Sequence, residues 1–201
     1  MLTALRESER HCAAPWTSGR GEPAEVAFLF SDVVGFTRMT ERLGDFAAHR
    51  VMAGHRAVIA ETARRNRGQT VEVRGDGFLL AFEATQNAMR CAVALQRELA
   101  RAASRRPADA IRVRMGLHSG PAIAEGEGYF GRNVILAARI AGRAGPDEIL
   151  VSARVRELAR RSPEFALGEG RRVSLKGFAA RQQVFALDWA RQPALVAVGG
   201  R

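Results

Sequence analysis

The tripeptide Gly75-Asp76-Gly77 sits between two short stretches rich in strand-forming residues, Gln69–Arg74 and Phe78–Phe82. An Asp-Gly step between such runs is a strong hairpin signal, because both residues tolerate the positive φ that a tight turn needs. That hairpin commits the chain to an antiparallel strand pair. The segments around it alternate in period. Val26–Phe30 is a continuous apolar run and reads as a buried strand. Thr37–Arg65 has helical spacing, broken at Gly44-Asp45, and predicts two helices. Thr85–Ala103 predicts a helix with Ala88, Cys91, Ala92, Leu95 and Leu99 on one face. Ile111–Gly116 alternates like a half-buried strand. Val134–Ala144 reads as a helix that Gly145-Pro146 stops. Ile149–Val151 predicts a strand, Ala153–Arg161 a helix, and the segments around Val173 and Val184 late strands. Interleaved helices and strands with one antiparallel hairpin predict an α+β fold, helices packed on a mixed sheet.

At 201 residues the chain is long enough for one well-buried domain and too short for two ordinary ones. We expect a core domain over 23–188, an N-terminal extension at 1–22 and a C-terminal tail at 189–201. No apolar run approaches the length of a membrane span, and the charged N-terminus lacks the apolar stretch of a secretory signal. Cys12 and Cys91 are the two cysteines, one in an irregular segment and one inside a helical pattern, so no disulfide framework is expected. These features predict a cytoplasmic protein. The net charge is +10, but 30 of the 31 basic residues are arginine and they are scattered. Nucleic-acid binding asks for clustered basic residues with aromatics among them, so no nucleic-acid partner is expected.

Asp32 follows the apolar run Val26–Phe30, and Asp76 sits in the hairpin turn. If the two strands are neighbours, two carboxylates meet at one end of the sheet. Such hard oxygen ligands suit Mg²⁺ or Mn²⁺ beside a polyphosphate. Spacing alone leaves open the plainer reading, Asp76 as a turn former and Asp32 as a helix cap.

Several motifs decide between these readings by resemblance. Phe28-Leu-Phe-Ser-Asp-Val-Val-Gly-Phe-Thr resembles the first metal motif of the class III adenylyl and guanylyl cyclases, and Gly75-Asp-Gly-Phe the second. Arg112-Val-Arg-Met-Gly-Leu-His-Ser-Gly-Pro resembles their central strand, and Tyr129-Phe-Gly-Arg-Asn-Val-Ile-Leu-Ala-Ala-Arg-Ile their dimer-facing catalytic helix. Ile149-Leu-Val-Ser and Ser174-Leu-Lys-Gly-Phe complete a set that runs in family order over roughly 24–188. The resemblance implies a ferredoxin-like fold and a head-to-tail homodimer with two shared active sites. It also implies a nucleoside triphosphate substrate and two Mg²⁺ or Mn²⁺ ions per site. Asp32 and Asp76 match the metal aspartates, and the Val33 carbonyl would add a ligand. Backbone amides near Gly35, Phe36 and Thr37 would seat phosphate oxygens where a helix begins. Arg139 matches an arginine that steadies charge on the α-phosphate from the partner subunit. Lys176, the only lysine, matches one that contacts the terminal phosphates. His118 has no implied catalytic role and reads as structural.

The base-reading positions depart from the adenylyl pattern. Where adenylyl cyclases carry a lysine four residues before the second metal aspartate, this chain has Glu72. Where they carry an acceptor three residues before the glycine at 131, it has Gly128. A carboxylate can accept from guanine N1–H and the 2-amino group but meets a lone pair on adenine N1. The pair resembles a guanylyl cyclase, and GTP is expected over ATP. Ile135 stands where active members carry a ribose-orienting asparagine. Loss of one such preorganised polar contact commonly costs on the order of 10²–10³ in rate. Two alternatives therefore stand beside the leading one: a cyclase making a cyclic pyrimidine nucleotide, and a degenerate cyclase-like dimer that binds nucleotide without turnover.

Overall fold

The computed structural model describes residues 23–160 and 162–191. The expected extension at 1–22 and most of the expected tail lie outside them. The elements run β1 (Ala24–Val33), α1 (Phe36–Leu43), α2 (Asp45–Arg65), β2 (Gly68–Arg74), β3 (Gly77–Phe82) and α3 (Thr85–Arg105). They continue as β4 (Val113–Glu125), β5 (Gly128–Phe130), α4 (Arg132–Ala141), β6 (Ile149–Ser152), α5 (Ala153–Ala159), β7 (Leu167–Val173) and β8 (Gln182–Leu187). The sheet order is β2-β3-β1-β4-β6-β8-β7, with β5 paired to the far end of β4. Every ladder is antiparallel except β4 with β6. The first four strands stand in the ferredoxin-like order, with α1–α2 and α3 as the connections. The α+β expectation holds.

Alternation along the strands splits the core between two faces. Ala27, Leu29 and Val33 of β1 join residues of α1, α2, α3 and α5 in the larger cluster. Val26 and Phe28 point the other way, onto a layer that includes Ala137 of α4. Leu136 and Ile140 of α4 cover β6 and β8 through Leu150 and Val184. Among the described helices, α4 thus packs alone on its face. It lies close to β4 because two strand positions lack side chains. A Cβ on Gly116 would stand 2.1 Å from the Ala141 nitrogen, and one on Gly120 would stand 2.6 Å from Asn133 Cγ.

One alternative reading falls and two expectations need correction. Asp32 lies inside β1, paired with Gly77 and Arg114, and caps no helix; Gly35 is the N-cap of α1. The central strand runs well past Gly116, to Glu125, and forms with β5 an arm that the alternation pattern did not predict. The helix expected over 134–144 starts and stops earlier, at Arg132 and Ala141. Packing also continues through Trp189, whose indole donates to the Asp147 carbonyl at 2.7 Å.

Candidate active site

One end of the sheet gathers the first group of candidates. β1 and β3 are antiparallel neighbours, and Asp32 pairs with Gly77, so the turn residue Asp76 comes beside it. Across the other edge of β1, Asp32 pairs with Arg114 of β4. The Arg114 guanidinium donates to Asp32 Oδ2 from Nε at 2.8 Å and from Nη2 at 2.5 Å. Both side chains are about one-third exposed. Partial burial pushes the Asp76 carboxyl up from the usual carboxylate range, and the charge of Asp32 adds to that; its own backbone amide and Arg114 pull it down. A cation between the two carboxylates would relieve that repulsion.

The chain then turns sharply. Gly35 has φ 74°, a left-handed conformation that side chains disfavour, and α1 begins at the next residue. A cleft of about 630 Å³ opens there, lined by Asp32, Val33, Gly35, Phe36, Thr37, Asp76 and Arg114 among others. Two carboxylates, an arginine and the start of a helix face one space. Hard oxygen donors fit Mg²⁺ or Mn²⁺, and the free amides of the first helical turn fit phosphate oxygens. No cluster of three or more acidic, histidine or cysteine ligands exists among the described residues. An ion held here would take its remaining ligands from carbonyls, water or a phosphate.

Glu72, Gly128, Ile135, Arg139 and Lys176 do not line this cleft. They lie apart from it, on β2, β5, α4 and the β7–β8 loop, and Glu72 shares a face of the sheet with Asp32. Cross-strand partners share a face. Asp32 alternates with Phe28 and so points toward the α4 side. Along β2 the register slips between Thr70 and Glu72: Thr70 pairs with Leu80, Glu72 with Leu79. Leu80 belongs to the cluster under α2 and α3, and Leu79 to the one on the α4 side. Without the bulge at Val71, Glu72 would face the wrong layer. Bulges re-aim side chains in this way. The same bulge brings Val71 against β5, where a Cβ on Gly128 would lie 3.9 Å from it. Glu72 and Asp32 are two strands and two residues apart, roughly 12 Å between backbones.

Ile135 and Arg139 are one turn apart on α4, both exposed. Lys176 lies in the β7–β8 loop, which is held by the start of α4 and by Arg143 just beyond its end. Arg132 stacks over the Phe178 ring at 5.1 Å, and Arg143 donates to the Ser174 carbonyl at 2.5 Å. Between them Leu175 is buried with Leu136 and Ile140. Arg139 and Lys176 thus ride on one packed unit. Ile123 and Phe130, cross-strand partners on the β4–β5 arm, are exposed apolar residues, as is Ile135 on α4.

Residues 21–188 match the family model of the adenylate and guanylate cyclase catalytic domain. The chain belongs to this family. Relatives agree. A Rhizobium meliloti protein named as adenylate cyclase 3 is 34% identical over 133 residues, 66% of this chain and 23% of its own length. The Mycobacterium tuberculosis protein Rv2212, uncharacterised, is 31% identical over 159 residues, 79% of this chain and 40% of its own length. The chain therefore spans less than half of these relatives. Among solved structures, an adenylate/guanylate cyclase/hydrolase from Silicibacter pomeroyi superposes with TM-score 0.72 at 26% identity, over 83% of this chain and 97% of that one. The adenylyl cyclase CyaB of P. aeruginosa gives 0.75 at 21% identity, over 88% and 100%. The guanylyl cyclase Cya2 gives 0.74 at 21%, over 87% and 99%. The last two show the cyclase fold and carry no argument about the base.

Arg114 is the residue that sequence reading passed over. It stands in the Arg112-Val-Arg-Met motif, but its place on the carboxylate depends on the β1–β4 register, which no local pattern encodes. No described helix is long and apolar enough to cross a membrane.

Proposed function

We propose that the chain is the catalytic domain of a nucleotide cyclase that converts a nucleoside triphosphate, GTP before ATP, into a 3′,5′-cyclic nucleotide and pyrophosphate. The observation that carries this reading is the meeting of Asp32, Asp76 and the start of α1 around one cleft. When bound, two Mg²⁺ or Mn²⁺ ions would activate the 3′-hydroxyl and offset charge on the departing pyrophosphate. Asp32, Asp76 and the Val33 carbonyl are their proposed ligands. Backbone amides of Gly35, Phe36 and Thr37 hold phosphate oxygens, and Arg114 supplies positive charge at the same end. Arg139 stabilises charge on the α-phosphate, and Lys176 binds the terminal phosphates. Glu72 accepts from the guanine edge, with Gly128 leaving room opposite.

The two groups of residues belong to different walls of a site. A second copy placed head to tail would set Arg139, Lys176 and Glu72 of one chain against the cleft of the other. Exposed Ile135, one turn before Arg139 on α4, lies on the surface that such a homodimer would cover. Complementation tests this. An Asp32→Ala, Asp76→Ala chain mixed with an Arg139→Ala chain should recover one working site per heterodimer and form cyclic nucleotide. Heterodimers that form without recovering activity over either parent would refute the shared site.

The domain limits that fit this reading are 23–188, with 1–22 and 189–201 as flanking segments.

A further inference from the structure

His118 is buried on β4, on the face that carries α4. Its Nδ1 lies 2.8 Å from Ser152 Oγ and its Nε2 lies 3.0 Å from Asn133 Oδ1. Asn133 Nδ2 donates to the Pro121 carbonyl at 2.7 Å. Ser152 Oγ accepts the Val155 amide at 3.3 Å and so caps α5.

The hydrogen positions follow from these contacts. A carbonyl only accepts, so the Asn133 nitrogen must face Pro121 and its oxygen must face His118. That oxygen only accepts, so Nε2 carries the proton. In the neutral ring Nδ1 is then an acceptor, and the Ser152 hydroxyl donates to it. Each group donates to the next: Ser152 to His118, His118 to Asn133, Asn133 to Pro121. Burial favours the neutral ring and lowers its pKa, more than the Asn133 bond raises it.

The line ends in the first turn of α4, where Arg132 stacks on Phe178 and Val134 packs against the sheet, and Asn133 adds a polar bond to β4. Gly131, the N-cap, offers no side-chain bond. The Asn133 amide occupies the slot that Gly120 leaves open. Its bond to His118 therefore fixes the helix start against the strand, while the Gly116–Ala141 approach fixes the other end. Arg139 sits between these two anchors.

The geometry points to His118 as a positioning residue: acting through Asn133, it sets the seat of α4 and so the placement of Arg139. This rests on the cyclase reading for its consequence but not for the clamp itself. His118→Ala and the milder Asn133→Ala should each lower kcat at least about tenfold and leave KM within about threefold, because Arg139 acts on charge that develops in the transition state. In an Arg139→Ala background each should cost less than about twofold more, as expected when two residues act through one interaction. Amide hydrogen exchange supplies a readout free of activity. Residues 132–141 should exchange at least about tenfold faster in either variant, with 88–99 of α3 unchanged.

Exchange of 132–141 unaltered in both variants would overturn the clamp, whether or not the chain turns over nucleotide. Full additivity with Arg139→Ala in an active enzyme would overturn the link to Arg139. A wild type that makes no cyclic nucleotide would sink the cyclase reading, and the exchange result would still decide the clamp.

Discussion

Arg114 reaches across the β1–β4 ladder and holds Asp32 Oδ2 with two guanidinium nitrogens. A proposed metal ligand thus already carries a cationic partner from its own chain. A metal ion bound to Asp32 would compete with Arg114 for that oxygen, and a guanidinium displaced from it would remain at the cleft, within reach of phosphate oxygens. Arg favours such planar oxygen groups. Arg114→Ala should therefore lower kcat/KM for the triphosphate at least about tenfold, or about 1.4 kcal/mol. The Mn²⁺ concentration for half-maximal activity should stay level or fall, because the carboxylate is freed. Steady-state kinetics over a Mn²⁺ series check both; a sharply raised Mn²⁺ requirement would mean that Arg114 builds the metal site instead.

His55 of α2 is 3% exposed, with its ring edge-on to Phe78 at 5.5 Å and, among the described residues, no hydrogen-bond partner at either nitrogen. Burial, helped by the charge of Arg56, lowers its pKa to about 4. An unfolded histidine titrates near 6.5. Between these values the unfolded chain binds the proton and the folded one does not. Its share of stability is present in full above about pH 6.5 and is lost as pH falls toward 4, up to about 3 kcal/mol. Denaturant unfolding at pH 7, 6 and 5 should show the decline, and His55→Leu should flatten it. It should also raise stability at pH 7 by about 1 kcal/mol, by removing buried polar atoms that lack partners. An identical pH slope in the variant would exclude His55 as the source.

Glu72 is aimed by the bulge at Val71, so its role can be tested by charge without moving the backbone. Glu72→Lys should cut the GTP:ATP ratio of kcat/KM at least about tenfold, since one charge-assisted hydrogen bond contributes about 1.5–3 kcal/mol. The ratio within each variant is the proper readout, because any effect of Ile135 on rate is common to both nucleotides and cancels. A ratio unmoved by the substitution would take Glu72 out of the base pocket.

Much of this was legible before any coordinates. Gly75-Asp76-Gly77 encoded its hairpin locally, and Gly44 marked the break between α1 and α2. The alternation that predicts β4 ends at Gly116, and the strand continues through Gly120 and Pro121 to Glu125. In the fold Gly120 makes room for Asn133. Pro121 pairs with Glu25 on one side, while the β6 ladder on the other has ended by Leu117. A strand tolerates proline where an edge needs no N–H. The family motifs named Asp32, Asp76, Glu72 and Arg139, but not that Glu72 and Asp32 share one face of the sheet. That depends on a one-residue slip in β2, which period counting does not detect. Arg114 and the His118 line were hidden for a related reason: their partners are 82 and up to 34 residues distant.

The most direct test of the account is product identification from an equimolar mixture of ATP, GTP, CTP and UTP with Mn²⁺, read by mass spectrometry. The account predicts a 3′,5′-cyclic nucleotide and pyrophosphate in equal amounts, with cyclic GMP at least about tenfold over cyclic AMP and no product after chelation of the metal. A cyclic pyrimidine nucleotide alone would refute guanine as the partner of Glu72. No cyclic product from any of the four, by folded and dimeric protein, would contradict the account at its centre.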